Sequence, residues 1–202
     1  MFCVYIYIII METQTNNKKV INLGVVDHES CVIRKNNYGF GIYSLKDFEP
    51  GEIVYRYKFT PIPEDVKSYT EITPEGLLIE DTGYHYYPIK DFFIRSDDQY
   101  INHSCGNDNI FESDTKLPTS INDEDGFGEI KAKKKINIGD ELFYNYNLLV
   151  WDMWDHDFEC FCGSENCYKV IKGFKYLPKE EQERLIPLAS PEIKDFYYNQ
   201  SN

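Results

Sequence analysis

Three cysteines within eight residues, Cys160, Cys162 and Cys167 in "FECFCGSENCYKVIKG", constrain the fold of this chain more than any other stretch. In C-x-C-x4-C spacing, with Gly163 permitting a tight turn between them, the thiols are close enough to converge on one ion. A tetrahedral Zn²⁺ with Zn–S bonds of about 2.3 Å needs a fourth ligand. Cys105 in "NHSCG" is the leading candidate, and His103 and His156 are its rivals by chemistry. Four protein ligands leave no position open for water or substrate, so such a centre is structural and clips the C-terminal segment onto the domain body. Two other readings stand beside it: buried thiols without a metal, and a redox-sensing pair at Cys160 and Cys162. The six cysteines do not read as a secreted disulfide framework, since Cys3 and Cys31 are isolated. A metal in a reducing, intracellular compartment is expected, with nucleus and cytoplasm equally compatible.

A chain of 202 residues that is 42% hydrophobic and 16% aromatic can core one domain with small appendages. Its formal charge of −13 disfavours a broad grip on nucleic-acid backbone and instead attracts Lys/Arg-rich peptides. The apolar opening "MFCVYIYIII" falls short of the roughly 18 residues a bilayer span requires, and it has no basic flank or small-residue cleavage site. No membrane anchor is expected. Because Met11 opens a polar stretch, translation starting there is one expectation, and a strand added to the core is the other.

From Val20 to Tyr57 short apolar runs ("VINLGVV", "CVIRK", "GFGIYSL", "EIVYRY") are broken by Gly, Asn and Pro, which reads as β-strands joined by tight turns. Further strands are expected in "GLLIED" and "YHYYPI". The polar, turn-rich stretch from Glu112 to Gly126 reads as a surface loop. "FGEIKAKKKI" sets Ile130 and Ala132 against Lys131 and Lys133, the pattern of a half-buried strand with a solvated basic face. Helix is expected only near the C-terminus, in "LPKEEQERLI" after Pro178 and in "PEIKDFYY", where Ser190 and Pro191 form an N-cap and first-turn pair.

Four stretches, "YGFGIYSLKDFEPGEIV", "YINHSC", "GDELFYNY" and "FECFCGSENCYKVIKGF", occur in an order and spacing that resembles a SET domain followed by a post-SET segment, over roughly residues 25 to 175. SET domains are S-adenosylmethionine-dependent protein lysine methyltransferases. The resemblance implies a mostly β fold of small sheets with a threaded pseudoknot, a zinc-binding post-SET segment and short C-terminal helices. The corresponding boundaries are an extension over 1–19, the SET domain over 20–150, the post-SET segment over 151–175 and a helical tail over 176–202.

By the same resemblance, Gly39, Phe40 and Gly41 approach the methionine part of the cofactor, and Asn102 and His103 hydrogen-bond it. Tyr146 corresponds to the catalytic tyrosine, and Tyr144 to the position that limits the number of methyl groups added; a tyrosine there implies mainly monomethylation. Phe161 is a candidate to stack on adenine, with core packing as its alternative, and Trp151 and Trp154 have the same two readings. Asp152, Asp155, Asp157 and Glu159 read either as an acidic rim for a basic peptide or as a solvated charge run. The chain departs from the family in three places: Gln99-Tyr100 precedes the Asn, the proline after Cys105 is missing, and Asn145 replaces an Asp. Whether Asn107 or Asn109 takes the family's following Asn position stays open. The expected activity is methyl transfer from S-adenosylmethionine to a lysine of a protein or peptide, histone tails included, by a monomer using no nucleic acid or membrane. The alternative is a catalytically silent, zinc-stabilised module that binds basic peptides.

Overall fold

The computed structural model describes residues 19–20, 29–37, 39–63, 69–72, 78–81, 87–89, 92–96, 100–120, 122–123 and 125–199. The start at Met11 and the strand read into "VINLGVV" beyond Val20 lie outside these residues. Strands dominate, in chain order β1 (Lys19–Val20), β2 (Cys31–Asn36), β3 (Gly39–Ser44), β4 (Ile53–Pro63), β5 (Tyr69–Ile72), β6 (Leu78–Asp81), β7 (Tyr87–Ile89) and β8 (Phe92–Ser96). They continue with β9 (Asn102–His103), β10 (Ile110–Lys116), β11 (Phe127–Ala132), β12 (Phe143–Tyr144), β13 (Phe158–Glu159) and β14 (Val170–Ile171). Helices α1 (Lys179–Leu185) and α2 (Pro191–Asn199) close the chain. Two compact units result, one from residues up to 100 with 111–141, the other from 101–110 with 142 onward.

The first unit is built on a five-stranded sheet in the order β10-β11-β4-β8-β7. Alternation in β4 shows why it forms: Tyr55, Tyr57 and Phe59 are buried while Arg56 between them is exposed, the period-two signature of a strand with one packed face. Opposite them, Ile130 and Ala132 of β11 are fully buried, in antiparallel register with Ile130 facing Tyr55. A β2–β3 hairpin and a small sheet β1-β5-β6 complete the unit.

The stretch from Glu112 was expected to be loop, and the structure corrects this, since β10 runs to Lys116. Its polarity reflects its place at the edge of the sheet, where most of its side chains face solvent and need no apolar partner. Glu129, an unexpected buried carboxylate, accepts from Arg56 Nε at 2.8 Å and Ser113 Oγ at 2.9 Å, with Lys131 Nζ 3.4 Å away. Those hydrogen bonds, Arg56 first, hold its carboxyl below the ordinary range.

The second unit joins segments far apart in sequence. β9 and β12 pair in parallel, Asn102 opposite Phe143 and His103 opposite Tyr144. Its apolar core is C-terminal: Phe174, Leu177, Leu185, Ile186, Ala189 and Ile193, with Trp151 stacked between Phe174 and Phe196 at centroid distances of 5.9 and 5.8 Å. Pro178 offers no capping side chain to α1, and the carbonyls of the preceding turn are instead met by Gln182 Nε2, which donates to Lys175 and Leu177 at 3.0 Å each. At α2 the Ser190 hydroxyl accepts from the Ile193 N–H at 3.3 Å, the N-cap its sequence announces. Among the described residues no helix is long and apolar enough to cross a membrane.

Candidate functional site

In the first unit, Gly39, Phe40 and Gly41 open β3, in antiparallel register with Asn36, Lys35 and Arg34. A Cβ on Gly41 would overlap the Glu141 carboxylate, which also accepts from Asn36 Nδ2 and from the Tyr43 hydroxyl at 2.9 Å each. A side chain at 41 would thus have to displace the Glu141 carboxylate of the same unit from these bonds. Gly41→Ala should cost about 1–3 kcal/mol of stability, as overpacking does. In urea titrations that loss should shrink in a Glu141→Ala background, and an equal loss in both would sink the assignment.

The second unit carries the remaining candidates. β12 ends at Tyr144, and Asn145, still extended at φ −95° and ψ 101°, leads into the turn Tyr146–Leu148. Asn145 Oδ1 accepts from the Asn147 N–H at 3.2 Å, which makes Asn145 the N-cap of that turn. An aspartate would cap the same way, so at this buried position the amide keeps the cap without burying a charge. Because Asn145 is extended, the alternation continues past the strand, and Tyr144 and Tyr146 leave the chain on the same side.

Tyr144 is buried, and Tyr146 is held at three points. Its hydroxyl donates to the Ile101 carbonyl at 2.6 Å, its backbone N–H donates to His103 Nδ1 at 3.0 Å, and its ring packs against those of His103 and Phe158 at 5.3 and 6.0 Å. Its hydroxyl proton is thereby committed to the Ile101 carbonyl.

The loop between β9 and β10 is tied down by hydroxyls and by one amide. Asn109 Oδ1 accepts from the Phe143 N–H at 2.8 Å, and its own N–H donates to the Phe143 carbonyl at 3.1 Å. Asn109 is buried and Asn107 exposed, so it is Asn109 that pins the loop. Ser104 and Ser164, not singled out in the sequence, accept the N–H groups of Asn107 and Gly106 at 3.0 and 3.1 Å. Position is the only hint the sequence offers for them, since each serine adjoins a cysteine motif.

The four thiols of Cys105, Cys160, Cys162 and Cys167 converge, with all sulfurs within 4.8 Å of one another. Cys105 Sγ lies 3.8 Å from Cys160 Sγ and 4.0 Å from Cys167 Sγ. Tetrahedral bonds of 2.3 Å space sulfurs by about 3.8 Å, so the donor set fits Zn²⁺. Gly163 takes φ +71°, the left-handed turn that folds Cys162 back towards the cluster. Backbone N–H groups of Cys105 and Lys169 donate to Cys162 Sγ and Cys167 Sγ at 3.5 and 3.4 Å. Burial pushes the Cys105 and Cys160 thiols up, Cys160 to about 11. At Cys162 burial also acts upward, but the Ser164 hydroxyl and the Cys105 N–H outweigh it and bring the thiol to about 5. One thiolate therefore forms readily, and a bound cation supplies the charge that ionises the others.

His103 stands beside the cluster, its Nε2 3.2 Å from Cys105 Sγ. Both ring nitrogens are thus engaged within the protein. Desolvation holds the ring pKa down, to about 4, so the imidazole is neutral. His156 is exposed and outside the cluster. Trp151 is a core residue, whereas Trp154 and Phe161 are exposed, and Phe161 borders a cleft of about 470 Å³ with Glu159, Lys169 and Val170. Asp152 is buried and ion-paired with Lys175, and Asp157 pairs with Lys172 at 3.1 Å, so neither contributes an open acidic rim.

The chain is similar in sequence to known proteins. Methyltransferase flvH of Aspergillus flavus is 31% identical over 137 residues, 67% of this chain and 62% of that protein. An H3 lysine-36 specific histone-lysine N-methyltransferase of Candida albicans is 30% identical over 153 residues, 70% of this chain and 16% of that protein. The chain therefore spans less than two thirds of either relative. The crystal structure of KRYPTONITE in complex with mCHG DNA and SAH aligns over 69% of this chain and 28% of that one, at 22% identity and a TM-score of 0.41. The SET domain model matches residues 39–147, just over half of the sequence and the stretch from the Gly39 hairpin through the Tyr146 turn, and the chain belongs to the SET domain family.

Proposed function

We propose that this chain transfers a methyl group from S-adenosylmethionine to the ε-amine of a lysine in a protein or peptide, adding mainly one methyl. The observation that carries the reading is the fixation of Tyr146, whose hydroxyl donates to Ile101, whose N–H donates to His103 and whose ring packs against His103. The cofactor, when bound, supplies an electrophilic methyl on a positively charged sulfur. Tyr146 then accepts from the amine N–H and aligns the nitrogen lone pair, a positioning task for which the enzyme needs no covalent step.

A free lysine near pKa 10.4 must be neutral to attack, which costs roughly 4–5 kcal/mol at pH 7, and an aromatic, desolvated channel lowers that cost. By resemblance to the family, Gly39, Phe40, Gly41, Asn102, His103 and the exposed ring of Phe161 are the cofactor contacts of this reading. A cleft of about 470 Å³ beside Phe161 is within the range of small-ligand sites, and an exposed aromatic face suits a purine. Zn²⁺ on Cys105, Cys160, Cys162 and Cys167 supplies a cross-link with no open coordination position. Four such thiols favour a reducing compartment, nucleus or cytoplasm. The net charge of −13 suits a basic substrate segment, a histone tail among them.

The test is mass spectrometry of lysine peptides and core histones incubated with the zinc-loaded protein and S-adenosylmethionine. A gain of one methyl supports the reading, and cofactor binding with no transfer to any substrate tried favours the silent module. Tyr144→Phe should shift the product towards di- and trimethyl-lysine, because the Tyr144 hydroxyl occupies space a further methyl needs. An unchanged product distribution would remove Tyr144 as the limiter.

A further inference from the structure

His103 touches both halves of the chemistry. A backbone N–H can only donate, so His103 Nδ1, 3.0 Å from the Tyr146 nitrogen, must be the unprotonated ring atom. The ring proton of the neutral imidazole therefore sits on Nε2, which faces Cys105 Sγ at 3.2 Å. The ring is 9% exposed, so little water is at hand to take over either bond. Its plane is fixed by Tyr146 on one side and by Phe158 at 5.9 Å, edge to face, on another. Phe158 lies two residues before Cys160, as His103 lies two residues before Cys105.

We infer that His103 is a positioning residue that couples the thiol cluster to the catalytic tyrosine, donating from Nε2 to the Cys105 thiolate while accepting the Tyr146 N–H at Nδ1. This rests on the zinc and Tyr146 assignments made above. The donor stabilises a metal-bound thiolate, as hydrogen-bond partners of metal ligands generally do, and the ligated sulfur in turn fixes the tautomer that receives the Tyr146 backbone. Metal occupancy thereby sets the placement of Tyr146 through one ring.

Two substitutions separate the two contacts. His103→Asn places a carbonyl near Nδ1 and removes the donor to Cys105; His103→Gln places an amide N–H near Nε2 and removes the acceptor for Tyr146. Zinc release to a chromogenic chelator should be about 10- to 100-fold faster in the Asn variant and within about threefold of wild type in the Gln variant. Turnover of the zinc-saturated proteins should rank the other way, with kcat lower in the Gln variant and KM unchanged. Equal zinc release by both variants overturns the coupling, because a merely structural ring would weaken both alike. Should a variant fail to fold, the ¹⁵N spectrum of zinc-loaded wild type decides the matter: a proton on Nε2 supports the coupling, and one on Nδ1 overturns it. A wild type that binds no zinc overturns the metal assignment and this inference together, a failure identified by the metal assay on the unsubstituted protein.

Discussion

Cys160→Ser should strip the protein of its zinc and melt the C-terminal unit well below the wild type. Cys160 is the one of the four cysteines that is buried as a residue, its thiol close to Cys105 and its N–H donating to the Lys169 carbonyl at 2.7 Å in the turn that returns the chain to β14. A structural zinc site contributes about 10–16 kcal/mol of apparent binding free energy at neutral pH, and losing one thiolate forfeits a large part of it. Three sulfurs would be left behind, those of Cys105 and Cys167 held 4.0 Å apart, with Cys105 disfavoured as a thiolate by burial. The expected result is sub-stoichiometric zinc by elemental analysis and a fall in Tm that chelator treatment of wild type reproduces. Because thiolates are the ligands, wild-type zinc release should also accelerate as pH falls. Stoichiometric zinc and an unchanged Tm in the variant would refute the assignment of Cys160 as a ligand.

The cysteine spacing was legible because metal ligation demands particular residue types within a short reach, and little else produces that pattern. The strand pattern was legible for the same kind of reason, as alternation in Tyr55, Tyr57 and Phe59 or in Ile130 and Ala132 follows from one packed face. What escaped is set by contacts between distant segments. β10 looked like loop because an edge strand satisfies its backbone on one side only and can expose polar residues freely. That a Cβ at Gly41 would meet the Glu141 carboxylate, a hundred residues on in the chain, is likewise a contact no local pattern shows. The roles of Asn109, Ser104 and Ser164 depend on which backbone N–H each side chain meets, and a single polar letter does not say. The engagement of the His103 side chain with both Tyr146 and Cys105 required the pairing of β9 with β12, which no local pattern announces.

That pairing also makes the second large effect cleanly measurable. Tyr146→Phe removes one oxygen and leaves the ring, so the packing against His103 and Phe158 and the backbone bond to His103 Nδ1 persist. The folding cost is that of one hydrogen bond to the Ile101 carbonyl, about 1 kcal/mol, and the carbonyl stays without its partner. The catalytic cost is larger. In the proposed reaction the lost oxygen is the acceptor that holds the amine in line for transfer, and losing one preorganised group of this kind lowers kcat by about 10²–10³. Since the oxygen acts on the reacting nitrogen and not on the remainder of the peptide, KM should stay near its wild-type value while kcat falls. A variant that binds S-adenosylmethionine and peptide normally, melts within a few degrees of wild type and transfers methyl at no more than a hundredth of the rate would place the chemistry at Tyr146. Near-normal turnover in that variant would mean that the hydroxyl serves only to tie Tyr146 to Ile101, and that the amine is aligned by another group.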